Sequence, residues 1–153
     1  MNKQAQTSTV KFLFARGRGE ENIVEVANQY CMMTPCRRVK LKLMPNSGAQ
    51  GAITALSRGI EEVTHGRGIP NAENVWMAAV EQYIPSTQPP IGEGVTETIQ
   101  IYVVKVTDGN LDALEKKANE FARDHIVIKH DIMWDSRDPK VWMDSMTFVV
   151  RLT

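Results

Sequence analysis

Two segments of this chain share one order of predicted elements, and that order limits the folds open to it most strongly. Residues 9–44 and 98–134 each show a strand, a short polar loop, a helix and a second strand. Two β-α-β units in one small chain suit a split β-α-β arrangement, in which the helices cover one sheet face and leave the other open. We therefore expect an α+β protein whose two β-α-β units form a ferredoxin-like sandwich.

The region between the two units predicts an inserted pair of helices. Apolar residues recur at helical spacing in 49–63 and again in 72–84, where Asn71 is placed as the N-cap. Prolines and glycines in 85–94 predict a surface connection. At 153 residues we expect a single domain over 1–153, made of unit one (9–44), the helical insertion (49–84), the linker (85–94) and unit two (95–153).

Composition excludes several classes of protein. Eighteen basic residues balance eighteen acidic ones, so the molecule as a whole does not attract nucleic acid or an anionic membrane. Cys31 and Cys36 lack the further Cys or His that a zinc site requires, which predicts two free thiols. No apolar run approaches the ~20 residues that cross a bilayer, and no signal-peptide core is apparent. We expect a cytoplasmic protein with no cofactor, no metal and no membrane partner.

Two Gly-Arg-Gly loops are the sharpest candidate anion sites. One joins the first strand to the first helix, and the other precedes the second inserted helix. Glycines there let backbone N–H groups approach an anion at the positive end of a helix. The alternative is an ordinary turn, because neither loop matches a Walker or dinucleotide fingerprint. The candidate residues are Arg16, Gly17, Arg18, Gly19 and Arg67.

A basic stripe, defined as Arg38, Lys40 and Lys42, is predicted on one face of the strand that ends unit one. Such a face can follow a phosphate backbone, so the stripe and the two loops together predict binding of RNA, single-stranded DNA or a phosphorylated ligand. The alternative is a solvated face, or an edge strand that lysines guard against aggregation.

His130 is the best candidate for catalysis. With Asp131, Asp135 and Asp138 it could form a carboxylate-rich cluster, which makes a small hydrolase or transferase the third functional hypothesis. A polar turn at a strand end explains the same residues more simply. The sequence shows no nucleophile motif, so the balance is against an enzyme.

The chain is rich in bulky contact residues, with eight methionines and three tryptophans. Exposed Trp and Met are typical of contact surfaces, although the same residues could complete a core. The last predicted strand could also offer a free edge to a partner. We therefore expect a non-enzymatic assembly or interaction subunit, acting as a homo-oligomer or within a larger complex. Viral and mobile-element structural or accessory proteins belong to this class. The candidate interaction residues are Trp134, Trp142, Met143 and Met146.

Overall fold

The protein is described from a computed structural model, which covers residues 5–16, 21–43, 75–89 and 92–152. In chain order the described elements are strand, helix, strand, strand, and then the same four again. The strands are β1 (Gln6–Arg16), β2 (Arg38–Leu43), β3 (Val75–Pro85), β4 (Thr96–Val106), β5 (Ile126–Asp135) and β6 (Asp138–Leu152). The helices are α1 (Glu21–Met33) and α2 (Leu111–Arg123).

The six described strands form two antiparallel sheets of three strands each. Sheet A has the order β1-β3-β2, and sheet B has the order β4-β6-β5. In sheet A, β1 and β2 both run antiparallel to the central strand β3, and in sheet B, β4 and β5 both run antiparallel to the central strand β6. The two outer strands of each sheet are therefore parallel to each other. The α+β class is confirmed, and the two halves of the chain have the same topology.

The ferredoxin-like sandwich is not confirmed, because strand order and helix placement both differ from it. A ferredoxin-like sandwich has one sheet with strands from both units. Here each unit is followed by a third strand of its own and forms a separate three-stranded sheet. The last strand is not an edge strand as predicted, because β6 lies at the centre of sheet B. Backbone groups on both sides of β6 are therefore paired within the chain.

The helix predicted over 72–84 is wrong for the described part of that range, where β3 begins at Val75. Six apolar residues follow one another from that position, and periodicity cannot distinguish such a run from a buried helix. As the central strand of sheet A, β3 is buried on both faces, with Met77 toward one side and Ala78 toward the other. Asn71 and the helix predicted over 49–63 lie outside the described residues.

Sheet A is the middle layer of the fold. On one face Ala78 and Val80 pack with Ile23 and Ala27 of α1. On the other face sheet A packs against sheet B and α2, and this contact forms the main core. Residues of that core include Val10, Phe12, Met77, Val104, Leu114, Ala118, Trp142 and Met146.

Helix α2 also covers the free edge of β1. Its apolar stripe enters the main core as predicted, at Leu111, Leu114, Ala118 and Ala122. Beside that stripe, Asn119 accepts a hydrogen bond from the Val10 N–H and donates one to the Val10 carbonyl, both at 2.9 Å. Glu115 accepts from the Phe12 N–H at 3.0 Å. Side chains of α2 thus replace a neighbouring strand along this edge.

Candidate interaction surface

The clearest surface feature is the face of sheet B that points away from the main core. Side chains alternate between the two faces of a strand, and Val104 of β4 enters the core. Ile99, Ile101 and Val103 therefore lie on the outer face, where they are 60%, 67% and 49% exposed. Three large aliphatic side chains at alternate positions of β4 are therefore exposed to solvent.

Strand register shows which residues surround this triplet. On β6, Val149 lies opposite Ile99, Thr147 opposite Ile101 and Ser145 opposite Val103. Further along β6, Met143 pairs with Met133 of β5, which is exposed. We define the outer patch by its apolar members, which are Ile99, Ile101, Val103, Met133, Met143 and Val149. Ile99, Ile101, Val103 and Met133 are exposed, whereas Met143 and Val149 are half-buried. Exposed apolar patches are a feature of interaction sites.

The edge of sheet B formed by β4 is the least protected strand edge in the described part of the chain. All eight residues from Thr96 to Val103 are exposed. The other edge strands carry known devices against pairing. α2 covers β1, β2 is six residues long and carries two lysines, and β5 has a register shift between Val127 and Lys129. β4 differs from these edge strands because it is 11 residues long and carries no charged side chain at its centre.

The predicted interaction residues are divided between core and surface. Trp142 and Met146 are fully buried in the main core and are not part of the exposed surface. Trp134 is half-buried and packs against the main core. Met143 belongs to the outer patch. Residues Ile99, Ile101 and Val103 were missed, because they alternate with the polar Thr98 and Gln100, and such alternation is typical of side chains that face a core.

The basic stripe lies on the face of β2 that is turned toward sheet B, and half of the Lys40 side chain remains exposed. Arg38 Nε lies 3.0 Å from Glu81 Oε2, and Lys40 Nζ lies 2.7 Å from Asp131 Oδ1. Burial opposes ionisation of Asp131, but Lys40 and Lys129 outweigh it and lower the pKa of this carboxyl. Burial, followed by repulsion from Lys40, lowers the pKa of Lys42. Carboxylates of the same chain thus pair with two of the three predicted phosphate-binding cations.

The apolar residues of the same strand are exposed, which reverses the predicted orientation of β2. The residues concerned are Val39, Leu41 and Leu43. Of the Gly-Arg loops, Gly17, Arg18, Gly19 and Arg67 lie outside the described residues, and Arg16 is described only as the end of β1. Anion binding by these loops stays a prediction.

His130 is buried in a polar network that joins the two sheets. Its Nδ1 lies 2.6 Å from Asp144 Oδ2, and its Nε2 lies 2.6 Å from the Ser8 carbonyl. Its backbone N–H donates to Glu81 Oε1 at 3.1 Å, and Ser8 Oγ donates to the same oxygen at 3.4 Å. Ser8 and Glu81 belong to sheet A, whereas His130 and Asp144 belong to sheet B.

The network favours a charged imidazole. Both ring nitrogens of His130 face oxygen acceptors, which suits a doubly protonated ring. Burial disfavours this cation, but the hydrogen bond and charge of Asp144, the Ser8 carbonyl and Glu81 outweigh burial and raise the pKa of His130. Burial also raises the pKa of Asp144. These groups are sealed from solvent, so the network stabilises the fold and cannot reach a substrate.

The predicted carboxylate cluster around His130 is not formed. Asp135 pairs with Arg137 at 3.3 Å, and Asp138 accepts from the Lys140 N–H at 3.0 Å. Both aspartates thus organise the β5–β6 turn, as the simpler interpretation proposed. Within the described ranges, no three His, Cys, Asp or Glu side chains are grouped so that they could hold a metal ion.

Comparison with known proteins does not identify a family for this chain. The chain matches no protein-family profile, no curated protein and no solved structure. Among the described residues, neither helix is long and apolar enough to cross a membrane.

Proposed function

We propose that this chain is a non-enzymatic assembly or interaction subunit that binds through the outer patch and the free edge of β4. It acts as a homo-oligomer or as one component of a larger complex. The observation that carries the proposal is the exposure of Ile99, Ile101 and Val103 on a strand whose outer edge has no neighbour in the described chain. Such an edge pairs readily with another strand.

The size of the apolar contribution indicates how a partner must bind. Complete burial of the three exposed aliphatic side chains contributes about 3–5 kcal/mol, taking ~1.5–3 kcal/mol for a fully exposed residue. Association costs about 4–15 kcal/mol in lost translational and rotational freedom. The side chains alone therefore do not secure a complex. Main-chain hydrogen bonds to the β4 edge supply the directional part of the contact.

The other two functional classes receive less support from the described residues. His130 is buried, so a hydrolase or transferase built on it has no access to substrate. Arg38 and Lys40 are engaged by Glu81 and Asp131, which reduces the charge that a phosphate backbone would meet. We place the protein in the cytoplasm, where the thiols of Cys31 and Cys36, which form no disulfide, stay reduced.

The proposal is tested by comparing Ile101→Lys with Met32→Lys. Both replace an exposed apolar side chain by lysine, but Met32 lies on α1, which packs on the face of sheet A opposite sheet B. Size-exclusion chromatography with light scattering should give an assembly for the wild type and for Met32→Lys, and a smaller mass for Ile101→Lys.

The same runs also test the competing functions. The protein is purified without nuclease, and the ratio of absorbance at 260 and 280 nm is recorded. Monomeric mass for all three proteins contradicts self-association and leaves only the role of one component in a larger complex. Nucleic acid that co-purifies and is released by high salt contradicts the proposed function, and supports the binding of nucleic acid instead.

A further inference from the structure

We infer that the partner at the β4 edge is a second copy of the chain, joined antiparallel through β4 so that two sheets B form one six-stranded sheet. This inference rests on the proposed function and adds the partner and the register. The strand order across the dimer is β5-β6-β4, followed by the same strands of the second copy in reverse. A two-fold axis perpendicular to the sheet relates the copies, as in an isologous dimer.

The sequence of β4 selects one register. The two-fold axis keeps each residue on its own sheet face, so the pairing must be centred on a residue and not between two residues. Centring on Ile101 sets Glu97 of each copy opposite Lys105 of the other, and Ile99 opposite Val103. All these residues lie on the outer face. The two charges and the aliphatic centre are thus self-complementary.

Neighbouring registers lose this match. Moving the centre to Gln100 places Glu97 opposite Val103, and moving it to Tyr102 places Lys105 opposite Ile99. Either shift sets a charge against an aliphatic side chain and leaves the opposite charges apart. Opposite charges directly across an antiparallel pair stabilise it, and mismatched faces oppose register slips. Charge complementarity therefore favours self-pairing at Ile101 over the alternatives.

The inner side of β4 is compatible with a neighbouring strand. Tyr102 points toward α2 and stacks on Phe121, with ring centroids 4.2 Å apart. The helix thus packs over the inner face near Tyr102 and Val104, while the residues from Thr96 to Val103 stay exposed. Only at the end of the strand does Lys117 of α2 approach, where its Nζ lies 3.5 Å from the Lys105 carbonyl.

One residue of the same copy competes for Glu97. Arg151 of β6 lies directly opposite it within sheet B. A charge reversal at position 97 therefore changes both a contact within one copy and a contact between copies. The test must separate these two effects, and mixing two oppositely charged variants does so.

The test uses sedimentation equilibrium of Glu97→Lys, Lys105→Glu, and an equimolar mixture of the two. Each variant alone sets like charges opposite each other at both ends of the pair. We expect a dimer dissociation constant on the order of tenfold higher than that of the wild type. In the mixed dimer every lysine again faces a glutamate, so the mixture should dimerise about as well as the wild type. Glu25→Lys, an exposed reversal on α1, is the control and should behave as the wild type.

The outcomes distinguish the inference from the proposed function. A wild type that assembles, with all charge variants and their mixture unchanged, overturns pairing through β4 at this register but leaves self-assembly standing. Weakened variants whose mixture is not restored also overturn the register, because the contact with Arg151 then explains the loss. A wild type that stays monomeric overturns both the pairing through β4 and the self-assembly.

Discussion

Replacing Glu81 by glutamine should lower the free energy of unfolding by about 2 kcal/mol. Glu81 is buried, and its two carboxylate oxygens accept from Arg38 Nε at 3.0 Å and from the His130 N–H at 3.1 Å. Glutamine has nearly the same shape but keeps only one acceptor oxygen, so the variant removes the charge and turns an NH2 group toward one of these two donors. The network that holds the two sheets together then contains a cation without its buried partner.

The magnitude follows from how buried each charge is. Removing one partner from a fully buried ion pair costs about 3–5 kcal/mol. The side chain of Arg38 is 32% exposed and keeps a second contact with Asp131 at 3.4 Å, so solvent and this carboxylate compensate part of the loss. We therefore expect a cost below that range. Arg38→Met combined with Glu81→Gln should cost less than the sum of the single changes.

Urea denaturation of wild type, both single variants and the double variant measures these free energies. Arg137→Gln serves as the control, because its ion pair with Asp135 is on the surface, where the arginine side chain is 88% exposed. That change should leave the free energy of unfolding at the wild-type value, because solvent screens an exposed ion pair. If Glu81→Gln is equally harmless, the network does not join the two sheets and the reasoning is refuted.

Three further predictions concern the pH dependence of stability, the hydrogen bonds of Asn119 and the reactivity of Cys36. Stability should decline as pH rises above ~6.5, because a raised folded-state pKa of His130 contributes stability that is lost as pH rises through that pKa. Urea titrations across pH should show a flatter profile for His130→Gln, and an unchanged slope would refute this. Asn119→Ala should cost about 1–3 kcal/mol by leaving both backbone groups of Val10 unpaired, and urea denaturation that shows no loss of stability would contradict this. Burial and the neighbouring Cys31 raise the pKa of Cys36 to about 11, so iodoacetamide should modify Cys36 slowly at pH 8. Mass spectrometry of Cys31→Ser should show faster modification, and an equal rate would contradict the assignment.

Local sequence signals predicted most individual elements. Helix α1 begins near the acidic residues at its start and ends at Met33, two residues before Pro35, as the restriction before proline requires. The apolar stripe of α2 and the strands β1, β2, β4 and β5 agree with the predicted periodicity. β6 begins at Asp138, well before the predicted start at Met146. These elements depend on spacing between neighbours in sequence.

The errors concern choices that spacing does not determine. Alternation predicted that Arg38 and Lys40 share one face of β2. Alternation could not predict that Glu81 and Asp131 pair with these cations, because both carboxylates are distant in sequence. Likewise Val104 and Ile101 are similar side chains on opposite faces of β4, and the position of α2 decides which is buried. The division into two sheets depends on the third strand of each half, whose pairing is not local.

Hydrogen–deuterium exchange of β4 at low and high protein concentration tests the assembly surface most directly. Pairing of this strand with a second copy protects the edge amides between Thr96 and Val103, so their exchange should slow as concentration rises. The amides of Val10 and Phe12 in β1, already covered by α2, give the internal reference and should exchange equally in both samples. Exchange in β4 that does not change with concentration, in samples that span the association range, would contradict the account.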